Sequence, residues 1–196
     1  MNGLVELLGS LVSEFIIRDF EEEEVKVAYI GPALKLFVED DYIELVKGAE
    51  YNLPRWIARI LYENNRIKEM DKSIDEATVA RIYFNENRSK GQLKFEKLSG
   101  YFYSRVREQI NMMLKAYREI TDLSRAHQIV QSVTSLSNTM RNLYKTRLSK
   151  ILSMVGGDIG ADVLADLSEE EKHLYNAVRS VLEVFNKKIF GVEKHG

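Results

Sequence analysis

Residues 101–120 read YFYSRVREQINMMLKAYREI, and their apolar members Phe102, Val106, Ile110, Met113, Tyr117 and Ile120 recur every three or four positions. That period is the stripe of an α-helix about five turns long whose apolar side needs a partner surface. The opposite side carries Arg105, Arg107, Lys115 and Arg118. Downstream, Ile129, Val133, Leu136, Met140, Leu143, Leu148, Ile151 and Leu152 predict a second long helix. Gly156-Gly157 closes it, because glycine takes the left-handed capping conformation at little cost. Ser168 with Glu171 three residues later is a capping box. It opens a third helix presenting Leu174, Val178, Val181, Leu182, Phe185 and Ile189. Three such helices cover one another and leave apolar flank for a neighbour, which is the property of an assembly module.

Moving toward the N-terminus, residues 85–100 hold Asn, Ser, Lys and two glycines without sustained periodicity, so they read as a linker between a helical domain, 101–196, and what precedes it. Upstream, Val25, Val27 and Tyr29 alternate with Lys26 and Ala28 until Gly31-Pro32, the pattern of a strand. The runs 34–38 and 42–46 flank Glu39-Asp40-Asp41 as a hairpin, which Lys47-Gly48 closes. Pro54 suits a first helical turn, followed by a stripe of Trp56, Ile57, Ile60 and Leu61, with Trp56 expected as an anchor in the local core. Residues 66–72 read as a returning strand and 74–84 as a second short helix. Residues 25–84 thus form a small strand-rich domain, and the expected fold class is mainly α with a small α+β domain placed first. Residues 1–24 are an appended arm: an amphipathic helix through Leu4, Leu7, Leu8, Leu11 and Phe15, broken by the acidic run Glu21 to Glu24. The arm either lies on the core or docks elsewhere.

The composition narrows the chemistry. The 196 residues include no cysteine, so disulfides, thiol nucleophiles and cysteine-ligated metals are excluded. His127, His173 and His195 are far apart and form no metal-spaced pair. Gly156-Gly157-x-x-Gly160 lacks the Lys-Ser/Thr of a phosphate-binding loop and follows a helix rather than a strand. Asp40-Asp41 and Asp158 with Asp162 lack the spacing of a calcium loop. No catalytic residue, cofactor or metal is expected, and the chain reads as a protein that is not an enzyme. Glu6 and Glu14 interrupt the apolar N-terminus, no basic region precedes it, and no apolar run reaches the roughly 18 residues of a membrane span. The expected location is cytoplasmic.

Charge is strongly polarised along the chain. Residues 1–87 carry a net −8, residues 88–150 a net +9 and residues 151–196 a net −3. The middle segment interleaves bases with Tyr101, Phe102, Tyr103, Tyr117 and Tyr144, so a stand-alone module binding nucleic acid through Arg105, Arg118 and Lys145 is one reading. Against it, Phe102 and Tyr117 fall on the apolar stripe. The other reading is that the charges orient acidic and basic modules against each other or against partner chains. Arg147 and Lys150, one turn apart, are either solvated or matched to an acid between helices or subunits.

The order of these parts resembles a known family. A small strand-rich domain with Leu53-Pro54-Arg55-Trp56-Ile57-Ala58, a linker, then a helical domain opening at Phe102-Tyr103 is similar to subunits of the GINS complex of archaeal and eukaryotic DNA replication. Arg147-x-x-Lys150 and the Ser-Glu-Glu-Glu opening at Ser168 belong to the same likeness, which covers about residues 25–190. Within the family the chain looks like the archaeal counterpart of the second and third Psf subunits, in which the small domain comes first. The resemblance implies a non-catalytic scaffold that joins a sister GINS subunit in a heterotetramer and holds the MCM helicase and a RecJ-like protein at the fork. A primase or polymerase is a further implied partner, and direct DNA contact is weak. On this reading Phe102, Val106, Ile110, Tyr117, Leu136, Met140, Tyr144, Arg147 and Lys150 are interface candidates, and Pro54, Trp56 and Ala58 are a structural motif of the small domain.

Overall fold

The computed structural model describes residues 2–38, 41–68, 74–89, 91–98, 100–157 and 160–191. The chain divides into two compact units: Ser13–Ser73, and a second made of residues up to Val12 together with those from Ile74 onward. Mainly helical structure follows a small region of antiparallel strands, which is the expected fold class.

In the strand unit, β1 (Glu24–Ala28) pairs antiparallel with β4 (Glu50–Pro54), setting Val25 opposite Leu53 and Val27 opposite Tyr51. Val25 and Val27 point inward while Glu24, Lys26 and Ala28 face out, as strand alternation dictates. The hairpin of β2 (Leu34–Val38) and β3 (Asp41–Leu45) forms a separate two-stranded sheet. β4 is not legible in the sequence, because Glu50-Tyr51-Asn52-Leu53 is weakly apolar and its partner lies far away in the chain. Helix α2 (Arg55–Glu63) closes this core with Ile57, Ala58 and Leu61, which pack with Val25, Val27, Leu45 and Leu53. Gly31 is required where it stands: a Cβ there would lie 2.6 Å from the Tyr29 hydroxyl, which donates to the Pro32 carbonyl at 2.7 Å.

Three expectations for this region are corrected. Trp56 is not a core anchor but 45% exposed, because the inward face of α2 is that of Arg55, Ile57, Ala58 and Leu61. Pro54 ends β4 and caps α2 rather than occupying its first turn, while Ala58 is fully buried. The expected return strand is reduced to one bridge, Tyr29 to Ile67, and residues 69–73 lie outside the described residues. The N-terminal helix ends inside the acidic run as expected, since α1 (Asn2–Glu22) stops at Glu22 and β1 begins at Glu24. Its end is tied into the strand unit. Phe20 is buried beneath the Arg55 guanidinium at 4.4 Å, Arg55 pairs with Glu23 at 2.8 Å, and Arg59 pairs with Glu21 at 2.5 Å.

The helical unit contains α3 (Glu76–Arg88), α4 (Phe102–Glu119), α5 (Leu123–Met154), the short α6 (Ala161–Ala165) and α7 (Glu169–Phe190). The 32 residues of α5 span about 48 Å, and both α3 and α4 lie against them. Asp75 caps α3 by accepting from the Thr78 N–H at 2.7 Å, and the bonds from the Thr78 hydroxyl and N–H together hold its carboxyl below the usual range. Asp122 caps α5 in the same way. Val79 and Ile82 of α3 share a core with Leu98, Phe102, Val106, Leu136 and Leu143. The expected boundaries therefore move. The helix placed in the small domain packs in the helical unit, and the supposed linker 85–100 completes α3 and buries Phe95 and Leu98. The apolar residues at 95 and 98 are too few to show a period, yet Phe95 packs with Ile151, Met154 and Tyr175, and Leu98 with Val79, Phe102 and Leu136.

Replacing Leu53, fully buried at the centre of the strand unit, by Ala is expected to cost about 2–5 kcal/mol in urea denaturation. Trp56→Ala should cost less than about 1 kcal/mol, since the ring contributes little to the core.

Candidate functional site

The polar centre of the helical unit is built on α5. Leu143, Arg147, Lys150, Ile151 and Met154 are buried at spacings of three and four, so Arg147 and Lys150 occupy the apolar seam itself. Arg147, 0% exposed, grips Glu171 of α7 with two parallel bonds: Nε to Oε1 at 2.6 Å and Nη2 to Oε2 at 2.7 Å. This fork matches carboxylate geometry, which a lysine would not do. The rest of the guanidinium is also occupied. Nη1 donates to the Glu96 carbonyl at 2.8 Å and reaches Glu86 Oε2 at 3.3 Å, while Nη2 donates to the Asp166 carbonyl at 3.2 Å.

Lys150 serves the other end of the same cluster. Its Nζ donates to Glu86 Oε1 at 2.9 Å, the Ser89 hydroxyl at 2.9 Å and the Lys94 carbonyl at 2.8 Å. Glu86 in turn accepts from the Glu96 N–H at 2.8 Å. The Phe95 ring lies under both cations, 4.9 Å from the Arg147 guanidinium and 5.4 Å from Lys150 Nζ. Two buried cations thus meet two buried carboxylates, and the remaining donors go to backbone carbonyls and the Ser89 hydroxyl.

Glu171 has a second role, since the capping box expected from the sequence is present. The Ser168 N–H donates to Glu171 Oε2 at 3.0 Å, and the Glu171 N–H donates to the Ser168 hydroxyl at 3.3 Å. The Tyr103 hydroxyl donates to Glu171 Oε1 at 2.7 Å. One carboxylate therefore starts α7, holds α5 and fixes the first turn of α4. Burial, with the charge of Glu171 beside it, pushes the Tyr103 hydroxyl well above its ordinary pKa and keeps it a donor. For Arg147 burial works to lower the pKa, but the bonds and charge of Glu171 outweigh it and the net direction is upward. Glu170 accepts from the Ser104 N–H at 2.9 Å but leaves Oε2 buried without a hydrogen bond, and burial raises its pKa.

These positions revise the interface candidates. Phe102, Val106 and Leu136 are buried in the chain's own core, and so are Arg147 and Lys150, whose acids are internal. Such residues offer nothing to a partner. Ile110 and Met140 are half-buried, and Tyr117 and Tyr144 are exposed at the edge. Of the basic candidates, Arg118 and Lys145 face outward and Arg105 is half-buried. Sequence reasoning missed Glu86 and Phe95, and it named Tyr103 only as an aromatic of the basic segment and a member of the Phe102-Tyr103 pair, not for the bond its hydroxyl makes to Glu171. Glu86 carried a signal, since it stands on the Val79, Ile82, Glu86 row where a carboxylate interrupts an apolar face. Asp40, Asp158 and His195 lie outside the described residues.

The apolar surface that remains uncovered is concentrated at the ends of helices. On α7, Val181, Val184, Phe185, Ile189 and Phe190 are 53–67% exposed, beyond the point where Tyr175 enters the core. The strand unit exposes Phe37 against Tyr42, with ring centroids 5.0 Å apart, and Trp56 with Ile60 on α2. Contiguous apolar surface of this kind marks contact sites rather than reaction centres. Among the described residues no group of three or more His, Asp or Glu side chains is placed to hold a metal ion, and no helix is long and apolar enough to cross a membrane.

The chain matches no family model. It is similar to a glycerate 2-kinase of Picrophilus torridus, at 25% identity over 159 residues. That alignment takes in 80% of this chain, and the chain spans about a third of the kinase, 32% of its length.

Arg147→Ala is expected to cost about 3–5 kcal/mol in denaturant unfolding, because it leaves Glu171 buried without its cation. A double-mutant cycle with Glu171→Gln should show strong coupling between the two positions. Glu170→Gln should raise stability at neutral pH. The folded carboxyl has a raised pKa, so its contribution is present below the ordinary glutamate range and lost as pH rises through the folded value. The advantage of the variant over wild type, followed by thermal melts, should therefore shrink as pH falls.

Proposed function

We propose that the chain is a non-catalytic subunit of a GINS-like assembly, packing against a sister subunit and scaffolding the MCM helicase and a RecJ-like protein during DNA replication. The observation that carries this reading is the uncovered apolar surface on long helices whose inner ends are firmly packed, above all the outer half of α7. Such faces bury themselves against other protein. The order of a small strand unit followed by a helical unit agrees with the resemblance drawn from the sequence. ATP hydrolysis belongs to the helicase in this scheme, and nothing among the described residues favours carrying the kinase activity of the similar protein over to this chain.

The alternative of a stand-alone nucleic-acid module loses support from the burial of Arg147 and Lys150. Both count toward the basic segment, yet their charge is spent on Glu86 and Glu171.

Affinity capture of the tagged chain from nuclease-treated native extract, read by mass spectrometry, separates the two. Recovery of a sister GINS subunit with MCM or a RecJ-like protein is the expected result. Loss of all partners on nuclease treatment contradicts it. So does oligonucleotide binding that falls steeply with salt and is flattened by charge removal at Arg105, Arg118 and Lys145.

A further inference from the structure

The two edges of the β2–β3 hairpin are not alike. Along β3 the outward backbone groups are taken: the Tyr42 N–H bonds the Asp41 carboxylate at 2.7 Å, and the Glu44 carbonyl accepts from the Tyr51 hydroxyl at 3.0 Å. The Val46 N–H, just beyond β3, donates to that same hydroxyl at 2.8 Å. Residues of an antiparallel pair alternate between exchanging hydrogen bonds and turning them outward. Tyr42 and Glu44 turn theirs outward, so their opposites Phe37 and Lys35 do the same on the far side of β2. Among the described residues nothing takes up the N–H and C=O of Lys35 and Phe37, and both side chains are exposed. One edge is covered, and the other is open to a further strand.

The strand that suits this edge is a second β2. Antiparallel pairing about a two-fold axis at Leu36 sets Lys35 of each copy opposite Phe37 of the other, and the outward groups of the two strands then meet in four hydrogen bonds. Moving the axis to Lys35 would oppose two lysines, and moving it to Phe37 would run the pairing past Val38, where β2 ends. With the axis at Leu36, each Lys35 lies between Glu44 of its own hairpin and the Phe37 ring of the second copy, a favourable neighbour on either side. We infer that the β2 edge is a self-association site, at which two copies of this chain join their hairpins into one four-stranded antiparallel sheet. A contact of five residues a side belongs to the weak, concentration-dependent class. It lies wholly within the strand unit and uses none of the helical surface assigned to a sister subunit.

Proline at position 35 separates the edge from the fold, because the N–H it removes is an outward one and the bonds of β2 to β3 stay in place. In sedimentation equilibrium of the full chain, wild type should associate with rising concentration, and Lys35→Pro should weaken that association at least about tenfold. A thermal melt of the dilute variant shows whether it folds; where it does not, the register decides. The chain has no cysteine, so Lys35→Cys and Phe37→Cys chains can be mixed under mild oxidation. The mixed disulfide should form roughly tenfold faster than either chain's disulfide with itself, because only the mixed pair stands directly opposite. Equal rates overturn the proposal. So does a wild-type chain that stays monomeric up to about 1 mM, or an association that a folded Lys35→Pro leaves intact, which means that another face carries it. Capture of a sister subunit does not depend on position 35, so the two readings fail separately.

Discussion

Taking a guanidinium and a carboxylate wholly out of water costs several kcal/mol for each ion, and the cost is met only when geometry is good and every remaining donor finds an acceptor. Arg147 and Glu171 satisfy that condition through a two-pronged contact and three further acceptors, the carboxylate of Glu86 and the carbonyls of Glu96 and Asp166. The consequence is positional. To supply those acceptors, the segment carrying Glu96 must fold back over α5, and the turn before α7 must bring Asp166 and Ser168 to the same point. The directional polar contacts thus fix a register that apolar packing between helices leaves loose.

This accounts for the uneven distribution of order and surface. Near the cluster the helices are bound by hydrogen bonds as well as packing, and the side chains there are buried. Away from it α7 continues with its apolar face uncovered. Rigid anchoring at one end and an open stripe at the other is what lets a helix present a binding face with little entropy left to lose on association. The charge pattern acquires a similar division, since part of the positive charge of the middle segment is internal and unavailable to steer a partner.

Much of the architecture was legible in the sequence, and what was lost was lost for identifiable reasons. The α4 stripe, the hairpin and the Ser168–Glu171 box are local patterns, in which residues a few positions apart determine one another. β4 was hidden because its strand character comes from pairing with β1 across the intervening hairpin. The burial of Phe95 and Leu98 was hidden because irregular backbone has no period. Trp56 misled because a large ring is assumed to be inside, whereas the spacing of Ile57, Ala58 and Leu61 already defined the inward face without it. Arg147 and Lys150 were recognised as a pair that an acid between helices would suit. Their burial was not legible, because a base on an apolar seam reads as a solvated face until its carboxylates, 61 and 24 residues away for Arg147, are brought to it.

The central claim is that Arg147 and Glu171 tie the segment 94–98, the C-terminal part of α5 and the start of α7 into one cooperative element. Native-state hydrogen exchange tests it directly. Amides of Leu98, the last turns of α5 and the first turns of α7 should exchange slowly and with a common opening free energy, and Arg147→Met should accelerate all three together. Acceleration confined to α5, with α7 and Leu98 protected as before, would contradict the account.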